Sequence, residues 1–261
     1  MSAPHGASGA PGAPGAPAIT PLDCGWMRQQ ERTLVQGGST ELSEIPVPAW
    51  LVRHPQGVVV FDAGLHPSLV ESRDSLGPMA KLFEPVLAAD GTVGRRLEQH
   101  DVDPLGTFTV VVSHCHFDHV GGLVEMPNAR VVAQRDEWSY AIAAGQAGGF
   151  DSALIDLGHD VVQVTGEHDL FDDGTVMCVP TPGHTCGHQS LRVLTADGPV
   201  ILTADACYFA HTLDDGVLPP FAFDHDQQRS SLDWLRGQRR TGTTLVPGHD
   251  AEVFRALLAR A

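Results

Sequence analysis

Ser113-His114-Cys115-His116-Phe117-Asp118-His119 is the stretch on which the reading of the fold turns. Three histidines and one aspartate fall within six positions, directly behind Phe108–Val112, a short β-branched run that reads as a buried strand. A strand end is a rigid platform for ligating side chains. His114 and His116 stand two apart, so an extended backbone points them the same way and turns Cys115 elsewhere. Val120-Gly121-Gly122 then lets the next segment start close to the cluster. A lone histidine is most often structural or solvated. Three with an aspartate at this spacing point instead to metal binding, and imidazole with carboxylate suits zinc, copper, iron or nickel.

Working outward, further candidates stand on turns that follow strands. His184 lies in Pro180-Thr181-Pro182-Gly183-His184-Thr185-Cys186-Gly187-His188, where prolines and glycines fix a loop without a helix. Asp205 follows the apolar run Val200–Leu202, and His249 follows Leu245-Val246-Pro247-Gly248. Each alone is a weak signal, since a strand-end aspartate is most often a turn residue. Together they supply the donors that a second metal requires.

The rest of the chain frames these turns. Trp50–Val52 and Val58–Phe61 flank His54-Pro55-Gln56-Gly57 and read as two strands joined by a turn, ending at the polar break Asp62-Ala63-Gly64. Strands are expected at Arg130–Ala133, Val161–Val164, Val176–Val179, Leu191–Leu194, Val200–Thr203 and Leu245–Val246. Helices are expected at 91–100, 135–144, 227–239 and 251–259. Strands interleaved with helices fit a layered α/β architecture.

Composition narrows the function. The 261 residues suit one large domain, and no apolar stretch is long enough to span a membrane. Residues 1–18 repeat Gly-Ala-Pro and read as a disordered tail, leaving 19–261 as the folded domain. The start shows no basic region followed by an apolar one, so a cytoplasmic protein is expected. With 32 acidic against 16 basic residues the net charge is −16, which argues against a nucleic-acid partner. The five cysteines form no Cys-x-x-Cys pair and read as reduced thiols.

The string His114-x-His116-x-Asp118-His119, followed by His184, Asp205 and His249, resembles the metallo-β-lactamase superfamily. The resemblance runs from about Cys24 to the end. It implies an αββα sandwich of two mixed sheets with outer helices and the site at one edge of the sheets. It further implies two divalent ions: His114, His116 and His184 hold one, Asp118, His119 and His249 hold the other, and Asp205 bridges them. Asp62 matches an early strand-end aspartate that supports ligands from behind. Zinc is the first expectation for the ions, and manganese, cobalt or iron suit the same donors.

Within that superfamily the sequence is most similar to N-acyl homoserine lactonases, the quorum-quenching enzymes. Leu22-Asp23-Cys24-Gly25, Ile45-Pro46-Val47-Pro48, His184–Ser190 and Asp205-Ala206-Cys207-Tyr208 carry the likeness. The tyrosine three residues after the bridging aspartate is a catalytic feature of those enzymes. The sequence departs at Cys186, where proline is frequent, and over 71–90, a loop expected to shape the acyl pocket. The resemblance implies attack of a metal-bridging hydroxide on the lactone carbonyl. Tyr208 then donates to the developing oxyanion, and Asp118 orients the hydroxide and passes a proton to the leaving oxygen. Phe117 and Phe83 are candidates for the acyl wall. The expected partner is a small acyl lactone, and a homodimer is compatible with the family. The competing readings are a different lactone, an ester or an organophosphate on the same site. A glyoxalase-II-like thioesterase is a weaker rival, since only residues 250–261 follow His249 where such enzymes carry a helical region.

Overall fold

A computed structural model of the protein describes residues 15–75 and 82–261. Most of the expected tail therefore lies outside the described residues. Strands β1 (Ala18–Gln30), β2 (Leu42–His54), β3 (Gly57–Phe61), β4 (Glu84–Val86), β5 (Thr109–Val111), β6 (Arg130–Gln134) and β7 (Asp160–Val164) form one sheet in the order β4-β1-β2-β3-β5-β6-β7. Strands β8 (His168–Asp169), β9 (Val176–Pro180), β10 (Gln189–Thr195), β11 (Gly198–Leu202) and β12 (Thr244–Val246) form the other, in the order β12-β11-β10-β9-β8. The helices are α1 (Val93–Gln99), the single turn α2 (Phe117–Val120), α3 (Arg135–Ala144), α4 (Ala210–Asp215), α5 (His225–Arg240) and α6 (Ala251–Leu258).

The strand period of two builds the layers. Trp50, Val52, Val59, Phe61, Val111 and Val132 turn inward to meet Cys178, Leu191, Val193 and Leu202 of the second sheet. Their neighbours Leu51, Val60, Val110 and Val131 face the other way and pack with Val93 and Leu97 of α1 and Trp138 and Ala141 of α3. Behind the second sheet Ile201 packs on Leu232 and Leu235 of α5. The result is the expected αββα sandwich, and both sheets are mixed. In the first, β3, β5, β6 and β7 run parallel beside the antiparallel β1–β3 meander. In the second, β11 and β12 run parallel and the other described pairs are antiparallel.

Two parallel pairs position the site. Phe61 registers with Val111 across β3 and β5, so the segments that leave those strands, with Asp62 and Ser113–His119, emerge at one edge. Leu202 registers with Val246 across β11 and β12, which does the same for the segments carrying Asp205 and His249. Ligand sites of open α/β sheets form outside the carboxyl ends of parallel strands for this reason. Among the described residues no helix is long and apolar enough to cross a membrane.

The long first strand was not expected from the sequence. Pro21 and Gly25 interrupt its pattern, and its pairing with β2 shifts register between Asp23 and Trp26. The bulge accommodates Gly25, while Pro21 stays in register opposite Trp50 at a point where β4 does not pair with β1. In β2, Pro46 and Pro48 fall where β3 no longer pairs, so one strand edge is free there and the missing amide donors cost no ladder bond.

Candidate metal centre

The donors are built from behind. At the end of β3, Asp62 takes the left-handed conformation (φ 62°), which a short polar side chain tolerates. Its carboxylate accepts from the Ser113 amide at 2.7 Å and the Ser113 hydroxyl at 2.9 Å, and it faces His119 Nδ1 at 2.9 Å. Ser113 Oγ also lies 3.0 Å from His114 Nδ1. The glycines after His119 permit a close approach. A Cβ on Gly121 would lie 2.3 Å from the His66 amide, and one on Gly122 2.2 Å from the Ala63 carbonyl.

Two groups of donor atoms result, one of His114, His116, His184 and Asp205 and one of Asp118, His119 and His249. In the first, His116 Nδ1 lies 3.0 Å from His114 Nε2 and 3.1 Å from His184 Nε2. Asp205 Oδ2 joins them, 3.2 Å from His184 Nε2 and 3.7 Å from His114 Nε2. In the second, Asp118 Oδ2 is 3.6 Å from His119 Nε2 and 3.9 Å from His249 Nε2. The other Asp205 oxygen, Oδ1, turns to this group, 3.2 Å from His119 Nε2 and 3.0 Å from His249 Nε2. Asp205 thus spans the two groups with one oxygen in each.

The atoms themselves test whether cations fit. His249 Nδ1 is 2.8 Å from the Pro46 carbonyl, which can only accept, so Nδ1 holds a proton and Nε2 is aimed at Asp205. Asp62 does the same for His119, whose Nε2, like Asp205 Oδ1, is buried with no hydrogen-bond partner among the described residues. Lone pairs facing a carboxylate oxygen are stable only with positive charge between them. In the bare protein protons serve: burial depresses His119 and His249, but the charges of Asp205 and Asp118 outweigh it and raise both. Burial alone pushes Asp205 up, and the imidazoles around it hold it well below the usual carboxylate range. In the first group burial dominates and holds His114 and His184 well below 6.5, in the neutral form that ligates metals. The residues present fit a dinuclear divalent metal site.

The centre opens onto a cavity of about 590 Å³ lined mainly by apolar groups. Tyr208 stands in its wall beside both donor groups, its ring 5.8 Å from the His184 ring and 5.2 Å from the His249 ring. Burial, and then the charges of Asp205 and Asp118, push its phenol well above 10, so it stays a donor at neutral pH. The structure places Phe83 and Phe117 in the wall as well, with ring centroids 5.3 Å apart. Residues 76–81 of the departing loop lie outside the described residues.

Several residues around the site carried no sequence signal. Phe150 packs edge-on against His116 at 4.7 Å, and Gly149 approaches so closely that a Cβ there would lie 2.9 Å from His116 Cδ2. Both belong to a loop brought in only by tertiary folding. His188 closes the loop that carries His184, and nothing in its sequence neighbourhood marks its role. Its Nε2 accepts from the Asp205 amide at 3.1 Å and its Nδ1 faces Thr181 Oγ1 at 2.9 Å. All five cysteines are free.

Known proteins share both sequence and shape. The N-acyl homoserine lactonase AttM of Azorhizobium caulinodans is 34% identical over 221 residues, covering 81% of this chain and 84% of its own. The N-acyl homoserine lactonase AiiA of Bacillus thuringiensis subsp. kurstaki is 28% identical over 217 residues, covering 81% and 84%. Among solved structures, an N-acyl homoserine lactone hydrolase with N-hexanoyl-L-homoserine at its catalytic metal centre superposes with a TM-score of 0.82 at 24% identity, covering 91% of this chain and 95% of that one. AidC, a dizinc quorum-quenching lactonase, gives 0.70 at 15% identity, covering 91% and 88%. The sequence profile of the metallo-beta-lactamase superfamily matches residues 42–249, and with the paired His/Asp groups at the strand ends of an αββα sandwich, the chain belongs to that superfamily.

Proposed function

We propose that this protein hydrolyses N-acyl homoserine lactones, opening the ring to the N-acyl homoserine. The observation that carries the reading is the position of Tyr208, a buried phenol donor on the wall of an apolar cavity and beside both donor groups. The named lactonase activity of the 34% identical relative supports it. A lactone with a fatty acyl arm needs a polar reacting end and an apolar bed, and the cavity offers both.

His114, His116, His184 and Asp205 would hold one divalent ion and Asp118, His119 and His249 the other, with Asp205 shared; zinc is the ion we propose. Such ions supply Lewis acidity and lower the pKa of water from 15.7 to about 7. The chain's own residues do the rest. Tyr208 donates a hydrogen bond to the carbonyl oxygen as negative charge develops on it. Asp118 takes the proton of the attacking water and returns it to the ring oxygen as the C–O bond breaks, leaving a hydroxyl and a carboxylic acid that ionises and releases one proton to solvent. Phe83 and Phe117 hold the acyl arm and keep bulk water from the reacting carbon. Residues 1–18 have no part in this scheme.

The test is a panel of substrates on metal-loaded enzyme: hexanoyl and decanoyl homoserine lactones, a plain γ-lactone, a glutathione thioester, and phosphodiester and phosphotriester substrates. Acid release from the acyl homoserine lactones, well above every other class, is the expected result. Turnover of the thioester or a phosphoester with no lactone opened would overturn the reading while leaving the metal centre intact.

A further inference from the structure

Glu137 is a fully buried carboxylate on α3, outside both donor groups. Its Oε1 accepts from the Cys115 amide at 2.9 Å, and its Oε2 from the Gly187 amide at 3.0 Å. Cys115 lies between His114 and His116. Gly187 lies three residues after His184 and directly before His188, whose Nε2 accepts the Asp205 amide. One carboxylate therefore grips both loops that carry the nitrogen donors of the first group, and reaches the fourth donor through His188. The grip is close: a Cβ on Gly187 would lie 2.4 Å from the Glu137 amide nitrogen. The second group has supports of its own, since Asp62 orients His119 and the Pro46 carbonyl orients His249; Asp62 also reaches His114 through Ser113, but Glu137 makes no hydrogen bond to the donors of the second group.

We infer that Glu137 is a positioning residue that sets the spacing of the two histidine loops and thereby the affinity of the first metal position selectively. Buried charge is costly, and the two main-chain donors, with the Cys186 thiol 4.0 Å from Oε2, offset part of that cost. A neutral amide in its place accepts at one oxygen only and turns its own N–H groups toward a main-chain donor. One loop is then released while the residue volume stays.

The two positions differ chemically, three nitrogens with one carboxylate oxygen against two nitrogens with two carboxylates, so cadmium NMR of the doubly loaded protein should give two separate resonances. Chelator competition yields their affinities one at a time. For Glu137→Gln, the nitrogen-rich position is expected to weaken by about 10- to 100-fold, the scale for outer supports of metal ligands. The oxygen-rich position should change by less than about threefold. Glu137→Asp, which keeps the charge but shortens the reach, should fall between wild type and Glu137→Gln. Equal weakening of both positions would mean a merely structural residue, and an unchanged nitrogen-rich position would likewise overturn the inference. If Glu137→Gln does not fold, the Glu137→Asp titration decides on the same criterion. No lactone enters the experiment, so its outcome is independent of the proposed substrate.

Discussion

His249 turns its Nδ1 to the main-chain carbonyl of Pro46, 2.8 Å away and 203 residues earlier in the chain. The bond fixes the imidazole tautomer and aims Nε2 at Asp205, 3.0 Å away. An early strand thus orients the last donor of the site, and the stretch Ile45-Pro46-Val47-Pro48 gains a physical role. Its prolines sit where β2 has a free edge, and the carbonyl of one is spent on a ligand.

The first prediction follows from how Asp205 divides its oxygens. Protein purified without chelator should carry about two divalent ions per chain, because seven ligand residues exceed the four of one tetrahedral ion. His249→Ala should keep about one, held by the first group, whereas His116→Ala should lose metal and most activity together. Elemental analysis reads both. Stripping the metal should lower Tm, since ions that bind only the folded state stabilise it. A firm single ion in the wild type would remove the bridging role from Asp205.

How much of this was legible beforehand depended on whether the signal was local. The cluster at 114–119 announces itself because its ligands are sequence neighbours behind a β-branched strand. His184, Asp205 and His249 are legible because each follows a strand and fits the family string, and the sheets then bring those strand ends together. Glu137 and Phe150 gave no such sign. Glu137 is one acid in the first turn of a helix rich in polar residues, and only packing decides that it is buried. The strand β1 was hidden for the opposite reason, since Pro21 and Gly25 imitate a loop.

The second prediction concerns His188. Burial pushes its pKa from 6.5 down to about 3, so it stays neutral in the folded protein while the unfolded chain takes up a proton below about 6.5. Its folded pKa lies below the unfolded one, so its stabilising contribution is lost as pH falls from about 6.5 toward about 3. The slope is about 1.4 kcal/mol per pH unit. His188→Gln keeps an acceptor for the Asp205 amide but removes the titration. Between about pH 7.5 and about pH 5, metal-free wild type should therefore lose about 2 kcal/mol more than the variant, measured by urea unfolding. Equal losses would mean that His188 takes up its proton in the fold as readily as in the unfolded chain.

The third prediction separates proton transfer from metal binding. Asp118→Asn keeps the side chain's size and one donor oxygen but removes the carboxylate that carries the proton. A fall in kcat of about 10²-fold or more is expected, the scale of general acid–base catalysis. Metal must be counted on the same sample, because Asp118 also belongs to the second donor group. Near-normal kcat at full metal content would take Asp118 out of the reaction.

The last prediction rests on Tyr208 and tests the lactonase reading most sharply. Tyr208→Phe retains the ring and its edge-on contacts with His184 and His249, and deletes only the hydroxyl. If the tyrosine were packing alone, nothing but a small change in stability would follow. If its hydroxyl meets charge that appears only in the transition state, the loss falls on kcat. Removal of one such donor costs about 10²–10³ in kcat where it acts alone. Here the metal centre shares that charge, so about 10- to 100-fold is expected. Metal content and Tm should stay near those of the wild type, because the hydroxyl is not one of the seven donors. Burial and the neighbouring carboxylates push the phenol's pKa well above its ordinary value in the metal-free protein. A larger KM at unchanged kcat would mean that the hydroxyl binds substrate and transition state alike. No change in either constant on an acyl homoserine lactone would leave the metal centre standing and make Tyr208 a wall residue.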